Sequence, residues 1–233
     1  MVSVKTGAAV AVLSVAFAPI AHASDLPEPL PTVQAPVLES LGGWYLRGDF
    51  GYRWNKIGSQ TAIAPFTSPS SGSLDNGWWG GGGVGLKARW LRADITVDYA
   101  PQVRYTGTTL TPNDTTSKVD SISTLFNIYF DLGTWWAFTP YVGAGIGAAY
   151  LRTSDVFTPQ FVDAGGNKWN LSYAGMAGAS YAIAPNIAVD VGYRYLHLGD
   201  VGSNTGAMSF SNINAHELRL GLRWMFNDVV TIP

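Results

Sequence analysis

The stretch His216–Phe226, HELRLGLRWMF, alternates without a break. Leu218, Leu220, Leu222, Trp224 and Phe226 fall on one side, with Glu217, Arg219, Gly221, Arg223 and Met225 on the other. A period of two predicts a β-strand with two unlike faces. If the apolar face points inward, the chain is an ordinary soluble sheet protein. If the charged face points inward, the solvent outside is not water.

Composition bears on the choice. Charged residues make up 13% of the 233 residues, and aromatics another 13%, whereas soluble domains carry roughly 25% charged residues. After the first twenty or so positions there is no run of the ~18 apolar residues that a spanning helix needs. Few charges without spanning helices predict a barrel of strands in lipid. Lys5, the apolar stretch Thr6–Ala18 and the Ala21-His22-Ala23 triplet have the form of an export signal cleaved between Ala23 and Ser24. Removing Lys5 from the 14 basic residues leaves 13 against 16 acidic ones, a balance that argues against a nucleic-acid partner. The chain has no cysteine, which excludes disulfides and thiolate metal sites. No cofactor or metal is expected.

Four parts follow: a signal peptide over 1–23, a Pro-rich periplasmic linker over 24–43, a barrel over 44–226 and a periplasmic tail over 227–233. The linker carries Pro27, Pro29, Pro31 and Pro36, which favour an extended tether. Within the barrel, eight alternating segments stand out: 44–54, 78–90, 92–104, 119–132, 140–152, 169–183, 186–198 and 216–226. Each reaches the ~9–11 residues that a tilted strand needs to cross a bilayer. Short connections near Arg89–Arg92, Gly133–Thr139 and Ala184–Asn186 alternate with long ones over 55–77, 106–117, 153–168 and 199–214. That asymmetry belongs to outer-membrane barrels.

The charges decide the faces. No Asp, Glu, Lys or Arg falls on the apolar sides of the eight segments. The opposite sides carry Arg47, Asp49, Arg53, Lys87, Arg89, Arg92, Asp94, Asp98, Asp131, Asp190, Arg194, Glu217, Arg219 and Arg223, interspersed with glycine. An eight-stranded barrel has room inside only for side chains, and glycines make space there for large paired ones. Trp44, Trp54, Trp78, Trp90, Tyr193 and Trp224 are expected to form the aromatic girdle at the headgroups. The charges therefore point into the lumen. An even strand number puts both termini on one side, read as periplasmic, with the long loops outside the cell. A Gly221→Ser change on the lumen side is expected to be far milder than Leu220→Arg unless the packing there is very tight.

Residues 221–226, GLRWMF, fit the outer-membrane assembly signal through Gly221, Trp224 and Phe226. Together with the GWYLRGDFGY opening, the VGYRYLHLG stretch and the ELRLGLRWMF ending, this resembles the small outer-membrane β-barrel proteins of alphaproteobacteria. These are immunogenic surface proteins of the OmpA/OmpX-like class. The resemblance implies a closed, eight-stranded, antiparallel all-β barrel with a structural and surface-interaction role. It implies contact with outer-membrane lipids, passage through the barrel-assembly machinery, and a host or extracellular ligand met through the long loops. It carries over no catalytic residues.

Two other functions have residues to point to. A charged lumen could conduct as a narrow porin-like channel, against which stands the small bore of eight strands. His197 and His216, placed opposite each other near Glu217 and Ser211, could serve a lipid-modifying enzyme. Glu217, however, alternates onto the other face, and no third metal ligand lies nearby.

Overall fold

Backbone pairing must close on itself where no water can satisfy a sheet edge, and here it does. The computed structural model describes residues 42–63, 68–108, 115–159, 162–206 and 208–226. The signal peptide, most of the linker and the 227–233 tail lie outside the described residues. The described residues form twelve strands: β1 (Gly42–Lys56), β2 (Ser59–Ala62), β3 (Ser71–Leu74), β4 (Gly77–Ala88), β5 (Leu91–Thr108), β6 (Thr115–Asp131), β7 (Phe138–Thr153), β8 (Val156–Phe157), β9 (Val162–Asp163), β10 (Asn167–Ala184), β11 (Ile187–Gly202) and β12 (Met208–Met225). Eight of them form a ring in the order β1–β4–β5–β6–β7–β10–β11–β12, all antiparallel. β12 returns to β1 from Tyr45↔Met225 to Lys56↔Asn214, and the barrel is closed.

The short strands extend the wall at one rim. β2 pairs with β12, β3 with β5, and β8 with β6 and β9. This is the loop rim. The opposite, turn rim holds the Arg89–Trp90 turn, the 132–137 connection and the Pro185–Asn186 turn, together with both ends of the described barrel.

The eight long strands match the alternating segments, but four run well past them. β5 and β11 reach Thr108 and Gly202, while β6 and β12 begin at Thr115 and Met208. Much of the sequence expected as loop at 106–117 and 199–214 is therefore strand. β1 also starts at Gly42, two residues inside the segment expected to be linker.

The alternation at the centre of each strand resolves as a wall with polar side chains packed inside and apolar ones outside. Leu218, Leu220, Leu222 and Trp224 are each more than half exposed, while Glu217, Arg219 and Arg223 are buried. Glycine makes that inner packing work. A Cβ on Gly143 would stand 2.6 Å from Tyr129 Cδ1, and one on Gly81 would overlap Asp98 Oδ1. Gly221 is the same case, since a Cβ there would overlap Asp49 Oδ1. The packing at Gly221 is thus tight, the condition that narrows the expected gap between Gly221→Ser and Leu220→Arg.

Candidate functional site

The inward faces of the strands gather their charges into one connected column. Nearest the turn rim, Arg92 donates to Asp131 (2.8 Å), and Lys87 lies 3.8 Å from the same carboxylate. Arg223 reaches Asp190 at 3.5 Å and donates to Ser180 Oγ at 3.2 Å, while Ser180 donates to Asp190. In the middle, Arg47 forks onto Asp49 on its own strand (2.7 and 2.8 Å) and spends its remaining nitrogen on Asp94 Oδ2 (2.7 Å) and Tyr129 OH (3.1 Å). Tyr45 OH and Asn127 Nδ2 also donate to Asp94, at 2.9 and 2.8 Å. Arg219 donates to Tyr141 OH (3.3 Å) and approaches Asp49 (3.8 Å). Higher still, Glu217 receives Arg53 (2.6 Å) and Arg194, whose other arm donates to Asp98 at 2.6 Å. The Arg194 guanidinium also lies over the Trp79 ring, 4.5 Å from its centroid.

No ion-paired side chain in this column is more than 9% exposed. Each of Asp49, Asp94, Asp98, Asp131, Asp190 and Glu217 has a cation within 4 Å. That matters because an unpaired charge in such a space costs several kcal/mol. Arg89 departs from the expectation. It sits in the two-residue turn, exposed, with φ of 54°, because the inward alternation of β4 ends at Lys87.

Above Arg53 and Glu217 the lumen changes character. Tyr105, Val119, Leu151, Leu196, Leu198, Val201, Met208, Phe210 and Ile213 pack into a buried apolar cluster at the loop rim. Between the two zones lies a cavity of about 20 Å³ edged by Arg53, Ser121, Leu151 and Leu198, room for roughly one water molecule. This apolar cap was not foreseen. Its signal was the run of Phe210, Ile213 and Ala215 just before the quoted strand.

On the outer wall, Trp44, Trp90 and Trp224 are exposed toward the turn rim, with Trp54, Trp78 and Tyr193 toward the loop rim. Trp135, Trp136 and Trp169 are also exposed and were not singled out from sequence. Phe226, in the assembly-signal segment, is exposed beside Trp224, their rings 5.2 Å apart.

The two histidines do not face each other. Tyr195 stands opposite His216 and His197 opposite Asn214. His197 Nδ1 lies 2.7 Å from Asn214 Oδ1, and His216 Nδ1 lies 2.5 Å from Tyr193 OH. Glu217 is inside the barrel, held by two arginines. Among the described residues, no hydrogen bond or ion pair joins an acid to either histidine.

A family model described as the outer membrane protein β-barrel domain matches residues 8–226. The chain belongs to that family. A Brucella suis protein of uncharacterized role is 31% identical, covering 95% of this chain and 99% of that one. A candidate adhesin of Rickettsia prowazekii is 25% identical, covering 78% of this chain and 86% of its own length. Among solved structures, Neisserial surface protein A shares the fold with a TM-score of 0.51 at 23% identity, over 79% of this chain and 97% of that one. As a member of the family, the chain is an outer-membrane barrel whose outer wall meets lipid.

Proposed function

We propose that this barrel is a sealed, non-catalytic scaffold that presents its loop rim to the cell's surroundings for adhesion or host contact. One observation carries the reading: the column of paired charges under an apolar cap. A lumen filled in this way offers little to transport, and the loop rim is left as the surface with freedom to vary. Recognition commonly sits on loops held by a rigid frame. Similarity to a candidate adhesin along most of the chain supports the same role.

In this reading residues 1–23 are a removed signal and 24–41 a tether. The turn rim with both termini lies in the periplasm, and Gly221, Trp224 and Phe226 are read by the assembly machinery during insertion. Ser71→Cys, at the loop rim, should then react with an impermeant maleimide on intact cells, and Asn186→Cys, in a short turn, should not. The role itself is tested with a non-adherent host strain displaying the barrel, either intact or with residues 109–114 and 160–161 replaced by glycine and serine. Adhesion to host cells should rise with the intact barrel and fall back with the altered one, while both keep the heat-sensitive gel shift of a folded barrel. Equal adhesion by the two would refute recognition through those loops.

A further inference from the structure

On the outer wall toward the loop rim, the register sets Arg104 of β5 directly opposite Lys118 of β6. Both side chains are exposed. Among the described residues neither has an ion-pair partner. Like charges directly opposed across a sheet destabilise it, so this pair works against the fold unless an anion sits between the two. A third cation stands close by. Arg152 of β7 is opposite Asp120, bonds it at 3.2 Å, and keeps its side chain 56% exposed.

The height of these cations says which anion that is. Tyr99, Ile122, Tyr150 and Trp169 form one outward row across β5, β6, β7 and β10, with the Tyr150 and Trp169 rings 5.0 Å apart. Aromatic rows of this kind sit at the headgroup boundary. Arg152 lies one residue pair beyond that row, and Arg104 with Lys118 two pairs beyond. Two pairs are about 13 Å along the strand, or roughly 10 Å in height for a strand tilted by ~40°. That stands at the outer edge of the headgroup layer, from which a long Arg or Lys side chain reaches down to a lipid phosphate, on the wall of the barrel rather than at its tips. Three acids stand to the sides: Asp120 is occupied by Arg152, Asp75 flanks Arg104 by donating its backbone N–H to the Arg104 carbonyl at 2.8 Å, and Asp155, next to the Ser154 that bonds the Lys118 backbone, accepts the Gly165 N–H at 3.1 Å.

We propose that Arg104 and Lys118, with Arg152 beside them, bind a phosphate of a phosphorylated glycolipid in the surrounding leaflet. Arg104 offers the planar fork that fits phosphate oxygens, and Lys118 a compact second charge. A phosphate between them turns a repulsive pair into an attractive site. The inference rests on the orientation proposed above only in naming the outer leaflet as the source. A binding test in detergent does not depend on that orientation.

The full chain, refolded in detergent, would be titrated with bisphosphorylated lipid A, dephosphorylated lipid A and a soluble sulfated polysaccharide. Tryptophan fluorescence would report binding, and the heat-dependent gel shift would report folding. The bisphosphorylated lipid should bind and the dephosphorylated one should not. Each basic residue near an anionic surface is worth about fivefold in affinity, so Arg104→Gln should weaken binding about fivefold and R104Q/K118Q about thirtyfold. Lys168→Gln, a rim cation paired instead with Asp200, should leave binding unchanged. Equal binding of the dephosphorylated lipid, or an unaltered affinity in a folded R104Q/K118Q variant, would overturn the proposal. So would equally tight binding of the soluble polysaccharide, which would assign the patch to a soluble polyanion.

Discussion

Within one lumen the two ends are built on opposite principles. Toward the turn rim, the inside is Arg, Asp and Glu and the outside is Leu, Val and Trp. Toward the loop rim, the inside is Phe210, Tyr105, Leu198 and Met208, and the outward positions include Arg104, Lys118 and Ser73. The barrel wall is continuous through the change, so the cause lies in the solvent. Lipid rewards an apolar exterior and leaves polar groups to pair inside. Above the hydrocarbon, headgroups and water restore the ordinary rule, and burial of apolar surface drives the packing. The wall itself marks the border. β5 has a bulge between Ala100 and Val103, and β11 shifts register between His197 and Val201. The inward set of β12 passes from Ile213 to Phe210 around Asn212, whose φ is 55°. A bulge adds one residue and flips the alternation, which gives β5, β11 and β12 an inward set for each solvent.

The comparison breaks most sharply at its lower end. Glu217→Ala strips the Arg53–Glu217–Arg194 group of its shared carboxylate. Removing one partner of a buried pair costs about 3–5 kcal/mol, and gel-shift titration in urea should show a loss of that size. An unchanged midpoint would mean the column contributes little to stability. Outside the same zone, Leu220→Arg faces lipid and should cost about 2–4 kcal/mol. A smaller loss, about 1–3 kcal/mol, is expected for Gly221→Ser, because the added side chain meets Asp49 in a packed interior. The mildest change is Ser73→Arg, a new charge on the outer wall of the loop-rim zone, where surface substitutions stay within about 0.5 kcal/mol. If Ser73→Arg cost as much as Leu220→Arg, the two zones would share one solvent and the border would be misplaced.

Most of the lower zone was legible in the sequence. Strict alternation, a charge-free outward face, and glycines set among the inward charges mark which side carries the polar interior. The upper zone was hidden by the same rule. A bulge flips the phase of the alternation: the inward residues change parity between Ala100 and Val103 in β5, between Leu198 and Val201 in β11 and between Ile213 and Phe210 in β12, so unbroken period two does not run to the loop-rim ends of those strands. Arg89 was misread for a related reason, since alternation was carried one step past the end of β4 into a turn. The partners within the column were not legible either. Arg47 bonds Asp94 on a strand 47 residues away, and Arg194 bonds Asp98 across 96 residues. Such pairings follow from ring closure and shear, which period and composition do not encode. The histidine register was missed by one residue pair for the same reason: His216 sits beside Tyr195 and not His197.

The central claim is that the lumen is occupied from end to end, by paired charges below and apolar packing above. Planar-bilayer recording of the unaltered full chain tests it most directly. No stable open level should appear, and any events should be brief and small. Long-lived, reproducible, ion-selective openings would contradict the account and make the lumen a pore.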